Sequence, residues 1–311
     1  VWILAYAAIG IGIGAAGTSF LALLATAAPE DKRGASATLA WLMLIVGAIA
    51  ASVGTGAALE PYSPERLTLV VAIASGAAFL LTVLATLGLD RETAEIGQTP
   101  PLMAALRDAW ADPAARRFTG FVFLSILAFY LSELIFEPFA GHVHGLDPSD
   151  STKLSGAKDG AALMGMIAAG VLSQLRFGSL RVWALTGCLI SAAGLIALGT
   201  GTVLIPATIT LGFGNGLFVV GAIGSMMRLA SSRQGAEGTT MGVFGAAQAI
   251  AAGLAGLAAT ATLDILRAVL PDTAAYGTLF TIEAILFVAA AIMAARILGP
   301  VPHTAPPIPG E

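Results

Sequence analysis

Apolar residues in this chain run in long stretches, broken by short polar segments. Nine such runs cover residues 1–28, 35–59, 67–89, 118–141, 154–175, 182–200, 203–229, 239–264 and 275–298. A membrane-crossing helix needs roughly 20 mostly apolar residues, so each run predicts one transmembrane helix. Runs of this length are too long for buried strands, and the short alternating segments of an outer-membrane barrel are absent. The reading is an all-α polytopic membrane protein. The longest polar stretch, Asp90 to Arg117, carries Pro100, Pro101 and Pro113. Within it, Leu102, Met103, Ala105, Leu106 and Trp110 share one face of a short amphipathic piece that suits a membrane surface. The chain therefore divides into three helices over 1–89, a cytoplasmic linker over 90–117, a six-helix half over 118–298, and a loose Pro-rich cytoplasmic tail over 299–311.

Composition sharpens this picture. Of 311 residues, 57% are hydrophobic and 11% charged, against about 25% charged in a soluble domain. The mean hydropathy is +0.87. These values exclude an ordinary cytosolic enzyme and a disordered chain. The net charge of −4 provides no basic footprint for nucleic acid. The single cysteine, Cys188, sits in an apolar run and reads as a small buried side chain. Three histidines are too few for most catalytic metal chemistry. Of the 15 Lys and Arg residues, 11 fall on one set of alternate loops, including Lys32, Arg33, Arg91, Arg107 and Arg176. The other set holds Arg66, Lys153, Lys158 and Arg267. The positive-inside rule puts the first set, and the C-terminus, in the cytoplasm. Val1 opens inside an apolar run without an initiator Met, so the expectation is that further helices precede it.

Several motifs have two readings. Gly12-Ile13-Gly14-Ala15-Ala16-Gly17 matches the dinucleotide fingerprint in letters. That fingerprint works only between a strand and a helix N-terminus, and here it lies within a predicted membrane helix. Close helix packing through Gly10 and Gly14 is the better reading. Gly156/Gly160, Gly212/Gly216 and Gly238/Gly242 repeat the spacing. Ionisable residues inside membrane helices are expensive and often functional. Glu133 and Glu137 stand four apart on one helix face, followed by the helix-breaking Pro138. They fit either solvation at the interface or a cavity or partner site. His142 and His144 follow as loop histidines, with ligation of a chlorin magnesium as the sharper alternative. Asn215 and Gln248 are deep amides, suited to interhelical hydrogen bonds or to ligand contact. Trp2, Trp41, Trp110 and Trp183 fall near predicted helix ends, as an aromatic belt would.

The combination of six helices, a long linker and three preceding helices resembles a major facilitator protein represented by its helices 4–12. Ala28-Pro29-Glu30-Asp31-Lys32-Arg33-Gly34 sits where that fold carries a basic loop. One branch is matched more closely. Gly14-Ala15-Ala16-Gly17-Thr18-Ser19-Phe20-Leu21-Ala22-Leu23-Leu24, with Pro29, Arg33-Gly34 and Trp41, resembles the PucC/LhaA, or bacteriochlorophyll delivery, family. So do Phe136-Glu137-Pro138-Phe139-Ala140-Gly141, Gly214-Asn215-Gly216-Leu217-Phe218-Val219-Val220-Gly221 and Gly245-Ala246-Ala247-Gln248-Ala249-Ile250-Ala251-Ala252-Gly253-Leu254. The loop from Arg176 to Arg181 departs from the transporter gating motif by lacking its acidic residue. Proton-coupled transport draws no support from it.

The resemblance implies a non-enzymatic assembly factor for light-harvesting complexes in a bacterial inner, intracytoplasmic photosynthetic membrane. Its cargo would be bacteriochlorophyll. Its partners would be antenna polypeptides, reaction-centre or pigment-synthesis proteins, and the lipid bilayer. In that fold the helices of Asn215 and Gln248 line a central cavity. The candidate pigment or partner residues are Glu133, Glu137, His142, His144, Asn215, Gln248 and Glu283. Glu283 lies roughly 12 Å into the last helix, where it either bonds to a neighbouring helix or forms a lateral docking face. The alternative function is a secondary transporter moving a small amphiphile by alternating access. The Gly/Ala-rich interior suits a chlorin or a partner helix better than a polar solute. The topology has a direct check: a cysteine placed at position 95 should resist labelling from the periplasm of intact cells.

Overall fold

The computed structural model describes residues 33–87, 113–231 and 237–297, with a few isolated positions outside them. The described segments are helical, with no strand among them. The helices are α1 (Arg33–Ala58), α2 (Pro64–Thr86), α3 (Pro113–His144), α4 (Pro148–Gln174), α5 (Leu180–Gly199), α6 (Leu204–Ser231), α7 (Glu237–Arg267) and α8 (Asp272–Ile297). The expected span 1–28 with its Gly10/Gly14 pair, the piece Pro101–Trp110 and the tail lie outside the described segments. Two compact units are present: Val1–Ala48 with Ser75–Gln98, and Ile49–Ala74 with Thr99–Glu311.

Six of these helices, α2, α3 and α5 to α8, are long and apolar enough to cross a membrane. Their outward residues are large and apolar, with Phe79 at 72% and Leu257 at 71% exposure. Such surface is untenable in water and natural in hydrocarbon, where a helix also satisfies its own backbone. In the second unit, the packing of the six helices after the linker runs in the order α4, α6, α5, α8, α3, α7, with a thinner contact returning from α3 to α4. The core at the centre of this series is aromatic and aliphatic, built on Phe121, Phe136, Phe218, Phe280 and Phe287.

Helix ends follow from local chemistry. Asp147 caps α4 by accepting a hydrogen bond from the Asp150 N–H at 2.9 Å, with Pro148 in the first turn, where its missing N–H costs nothing. This start precedes the expected boundary at 154, because the apolar count ignores a cap. Lys158, which lies within both the expected run 154–175 and the observed helix, is buried in α4, although the loop-charge count treats it as a loop residue. Helix α3 likewise runs through Pro138 to His144. Pro138 deprives only the Leu134 carbonyl of its helical donor. The two histidines therefore belong to the last helical turn and are not loop residues. Between α4 and α5, Gly178 has φ +82, and a Cβ there would stand 2.5 Å from the Trp183 ring. Trp183 folds back, donates from Nε1 to Ser173 Oγ at 2.7 Å and is buried beside Ala169 and Leu217. It is therefore not a lipid-facing belt residue. Trp2 and Trp110 lie outside the described residues.

Glycine sets the tightest packing. A Cβ on Gly212 would strike the Lys158 carbonyl, and one on Gly216 the Ala162 carbonyl, so α6 lies backbone-to-backbone on α4. On its other side a Cβ at Gly214 would stand 2.5 Å from Ser191 N, and one at Gly194 would stand 2.6 Å from Leu211 N, which brings α5 equally close. Small residues allow such approach between membrane helices. Gly160, by contrast, meets nothing within 4 Å. Gly216→Ala should therefore lower stability by about 1–3 kcal/mol, the usual cost of overpacking, whereas Gly160→Ala should be neutral. Thermal melting in detergent measures both.

Candidate functional site

The seam between α3 and α4 is where ionisable side chains gather. Because these helices touch less closely than their neighbours, long polar side chains fill the space. Glu133 and Glu137, one turn apart on α3, both turn toward α4. Lys158 Nζ donates to Glu133 Oε2 at 2.6 Å, and Ser155 Oγ donates to Glu137 Oε1 at 3.1 Å. Lys158 is only 5% exposed and its ammonium also lies 5.1 Å from the Phe136 ring centre, a favourable cation–π position. Asp159 follows on the same helix, half-buried. Burying an ammonium without a partner would be prohibitive in a membrane, so the glutamate is a structural necessity for the lysine. Lys158, Ser155 and Asp159 were missed by sequence reasoning. The apolar run 154–175 was the available signal, since it already contains positions 155, 158 and 159.

A second polar group sits at the α3 C-terminus. His142 Nδ1 and the Tyr276 hydroxyl of α8 share a hydrogen bond of 2.8 Å. His144 stacks edge-on against Phe139 at 5.1 Å, and its buried Nε2 has no hydrogen-bond partner among the described residues. Phe139 in turn packs on Phe280 at 4.9 Å. A third polar contact ties α1 to α4. Lys153 pairs with Glu60, and Ser149 Oγ donates to Gly56 O at 2.7 Å. Hydrogen bonding from Lys153 and Ser149 holds the Glu60 carboxyl below its usual range. The contribution of that pair is therefore present above the ordinary carboxylate pKa and lost as pH falls through the lowered value.

The remaining expected residues are engaged within the helix bundle. Asn215 is buried and accepts from Ser191 Oγ at 2.7 Å, linking α5 to α6. Gln248 Nε2 donates to Met226 Sδ at 3.3 Å, linking α7 to α6. Glu283 is fully buried within α8. The lateral docking face considered for it is corrected by this burial, because the side chain points into the helix packing. Cys188 is buried and unpaired. Among the described residues no cluster of His, Cys, Asp and Glu could hold a metal ion. The site thus brings together Glu133, Glu137, Lys158 and Ser155, and separately His142 with Tyr276. It does not join Asn215 or Gln248 to either group. Ser191→Ala and Asn215→Ala should each lower stability by about 1 kcal/mol. The double variant should cost little more than one alone, as a double-mutant cycle of melting temperatures will report.

Comparison with known proteins adds the following. The family described as "PUCC protein" matches residues 1–301. The chain is 50% identical over 307 residues to the "Bacteriochlorophyll synthase 44.5 kDa chain" of Rhodobacter capsulatus, spanning 95% of this chain and 72% of that one. It is 30% identical over 284 residues to "Protein PucC" of Cereibacter sphaeroides, covering 88% of this chain and 61% of that protein. Among solved structures, it is similar to a bacterial homolog of the human lysosomal transporter Spinster in an inward-facing, unoccupied conformation. The TM-score is 0.53 at 16% identity, over 89% of this chain and 71% of the other. The fold is accordingly that of a major facilitator-type, all-helical membrane protein.

Proposed function

The chain belongs to the PUCC protein family, and from that premise we propose that it is an assembly factor for light-harvesting complexes. In this reading it binds or delivers bacteriochlorophyll to antenna polypeptides in the intracytoplasmic photosynthetic membrane, with its C-terminus in the cytoplasm. It changes no covalent bond of the pigment; the word synthase belongs to the relative's name. The observation that carries the reading is the 50% identity over 307 residues to a protein named for bacteriochlorophyll synthesis. The disposition of polar groups supports it. The amides Asn215 and Gln248 are spent on Ser191 and Met226. A polar solute needs a row of free polar groups at mid-membrane, whereas a chlorin or a partner helix does not.

The alternative is alternating-access transport of a small amphiphile. The likeness to the Spinster homolog gives it a fold, although fold does not fix function. One purification separates the two. The protein extracted in mild detergent from phototrophically grown cells should carry bacteriochlorophyll absorbance and co-purify antenna polypeptides. Cells lacking it should lose antenna absorbance. A colourless preparation without antenna polypeptides, from cells whose antenna is unchanged by the deletion, would refute the assembly role.

A further inference from the structure

A chlorin magnesium has an axial position open to one neutral donor, and an imidazole nitrogen fills it well. The donor must be reachable from outside the helix bundle and must offer a free lone pair. Most of the polar groups described above fail one of these conditions. Asn215 and Gln248 are bonded to Ser191 and Met226, Glu133 is held by Lys158, and Glu283 is 0% exposed. The ring of His144 meets Phe139 edge-on, and its Nε2 is buried. His142 differs from all of these. It is exposed, its Nδ1 is engaged by the Tyr276 hydroxyl at 2.8 Å, and no hydrogen bond occupies Nε2 among the described residues.

The ring is also held in place. Helix α3 ends in a left-handed turn at Gly145, φ +67, a conformation that favours glycine. There the Gly145 N–H donates to Gly141 O at 3.0 Å and the Leu146 N–H donates to Ala140 O at 3.2 Å. His142 therefore stands on a closed helical turn. Tyr276 is 0% exposed and packs on Phe139 at 5.5 Å between ring centres, so the hydroxyl that meets Nδ1 is fixed. Asp272, at the start of α8, is bonded to Arg267 at 2.7 Å and leaves the ring to Tyr276. The apolar span of α3 runs Ala115–His144, which puts His142 at its boundary. At that depth an amphiphile presents its polar part while its hydrocarbon tail stays in the bilayer.

We propose that His142 is the axial ligand, through Nε2, for the magnesium of a chlorin, with Tyr276 as its positioning residue. In the ligating tautomer Nδ1 carries the hydrogen and donates it to the Tyr276 hydroxyl, leaving the Nε2 lone pair for the metal. Ligating histidines are oriented in this way, with the second ring nitrogen hydrogen-bonded to a fixed partner. The magnesium–Nε2 bond replaces one to water; no electron moves and the imidazole stays neutral. A single bond at an exposed position suits a cargo that has to be passed on. The assignment rests on the pigment-handling reading and deepens it by naming the side chain that holds the pigment.

The test uses the protein produced in a host that makes no chlorin and purified in mild detergent. Bacteriochlorophyll and its magnesium-free form are titrated separately, and bound pigment is read by absorbance after gel filtration. Wild type should bind the magnesium form more tightly. His142→Phe should remove that preference and leave binding of the magnesium-free form unchanged. Tyr276→Phe, which keeps the ring and loses the hydroxyl, should weaken the preference about tenfold. His144→Phe should keep it. Uptake of neither pigment by wild type refutes pigment handling itself, and the assignment with it. Equal uptake of both by wild type, persistence of the preference in His142→Phe, or its loss in His144→Phe overturns the assignment alone. If His142→Phe is not recovered folded, Tyr276→Phe reads the same preference, and its persistence there at full strength overturns the assignment.

Discussion

Backbone contact along α6 is the constraint on which the rest of the six-helix half depends. Gly212 and Gly216 of α6 admit α4, while Gly214 of α6 and Gly194 of α5 let those two helices meet, and a Cβ at any of the four would strike the opposing backbone. Lipid tails are as apolar as leucine, so burial alone does not drive membrane helices together; close van der Waals packing and interhelical hydrogen bonds do. The Ser191–Asn215 bond lies at the α5–α6 crossing, where the approach of the two backbones lets two short polar side chains meet. The same contact reaches the ionisable site. The Lys158 carbonyl rests where a Cβ on Gly212 would be, so α6 holds the backbone of α4 while the lysine side chain extends to Glu133 on α3.

That arrangement explains why the α3–α4 seam can carry charge. A helix held firmly on one side by backbone contact can leave its other side to side chains, and here the gap is spanned by Lys158–Glu133 and Ser155–Glu137. A buried ion pair seldom adds stability over an apolar substitute. Its presence inside a membrane bundle points to use more than to strength. Phe136 lies beneath the ammonium and Lys158 is only 5% exposed, so its charge is compensated by the Glu133 carboxylate and not by solvent.

The likeness to a transporter structure and membership of the PUCC protein family are compatible, because one fold can serve several tasks. What differs is how the polar groups are spent. The deep amides serve helix packing, and the buried ammonium of Lys158 is held in one seam. The Glu60–Lys153 pair with Ser149 ties the end of α1 to the start of α4, so the helix bearing Lys158 is held at its beginning as well as along its length.

Much of this was legible in the sequence. Long apolar runs require helices in a bilayer, because no other backbone arrangement satisfies its own hydrogen bonds there short of a closed barrel. The blocks around Glu137, Asn215 and Gln248 identify the family, and the pairing of Gly212 with Gly216 foretells close packing. The sequence could not say which partner each polar residue meets. Glu133 and Glu137 share a face by helical period, yet that the face turns to Lys158 follows from the order in which helices pack. Lys158 is counted as a loop charge until its burial against Glu133 shows it facing a neighbouring helix, and Trp183 reads as a belt residue until Gly178 lets the chain fold back. Glu283 could have faced lipid, a partner or its own bundle; rotation of α8 about its axis decided it. Helical period and apolar length are local properties, written in consecutive residues. Helix rotation and neighbour choice depend on contacts between residues more than a hundred positions apart, and only the packed structure sets them.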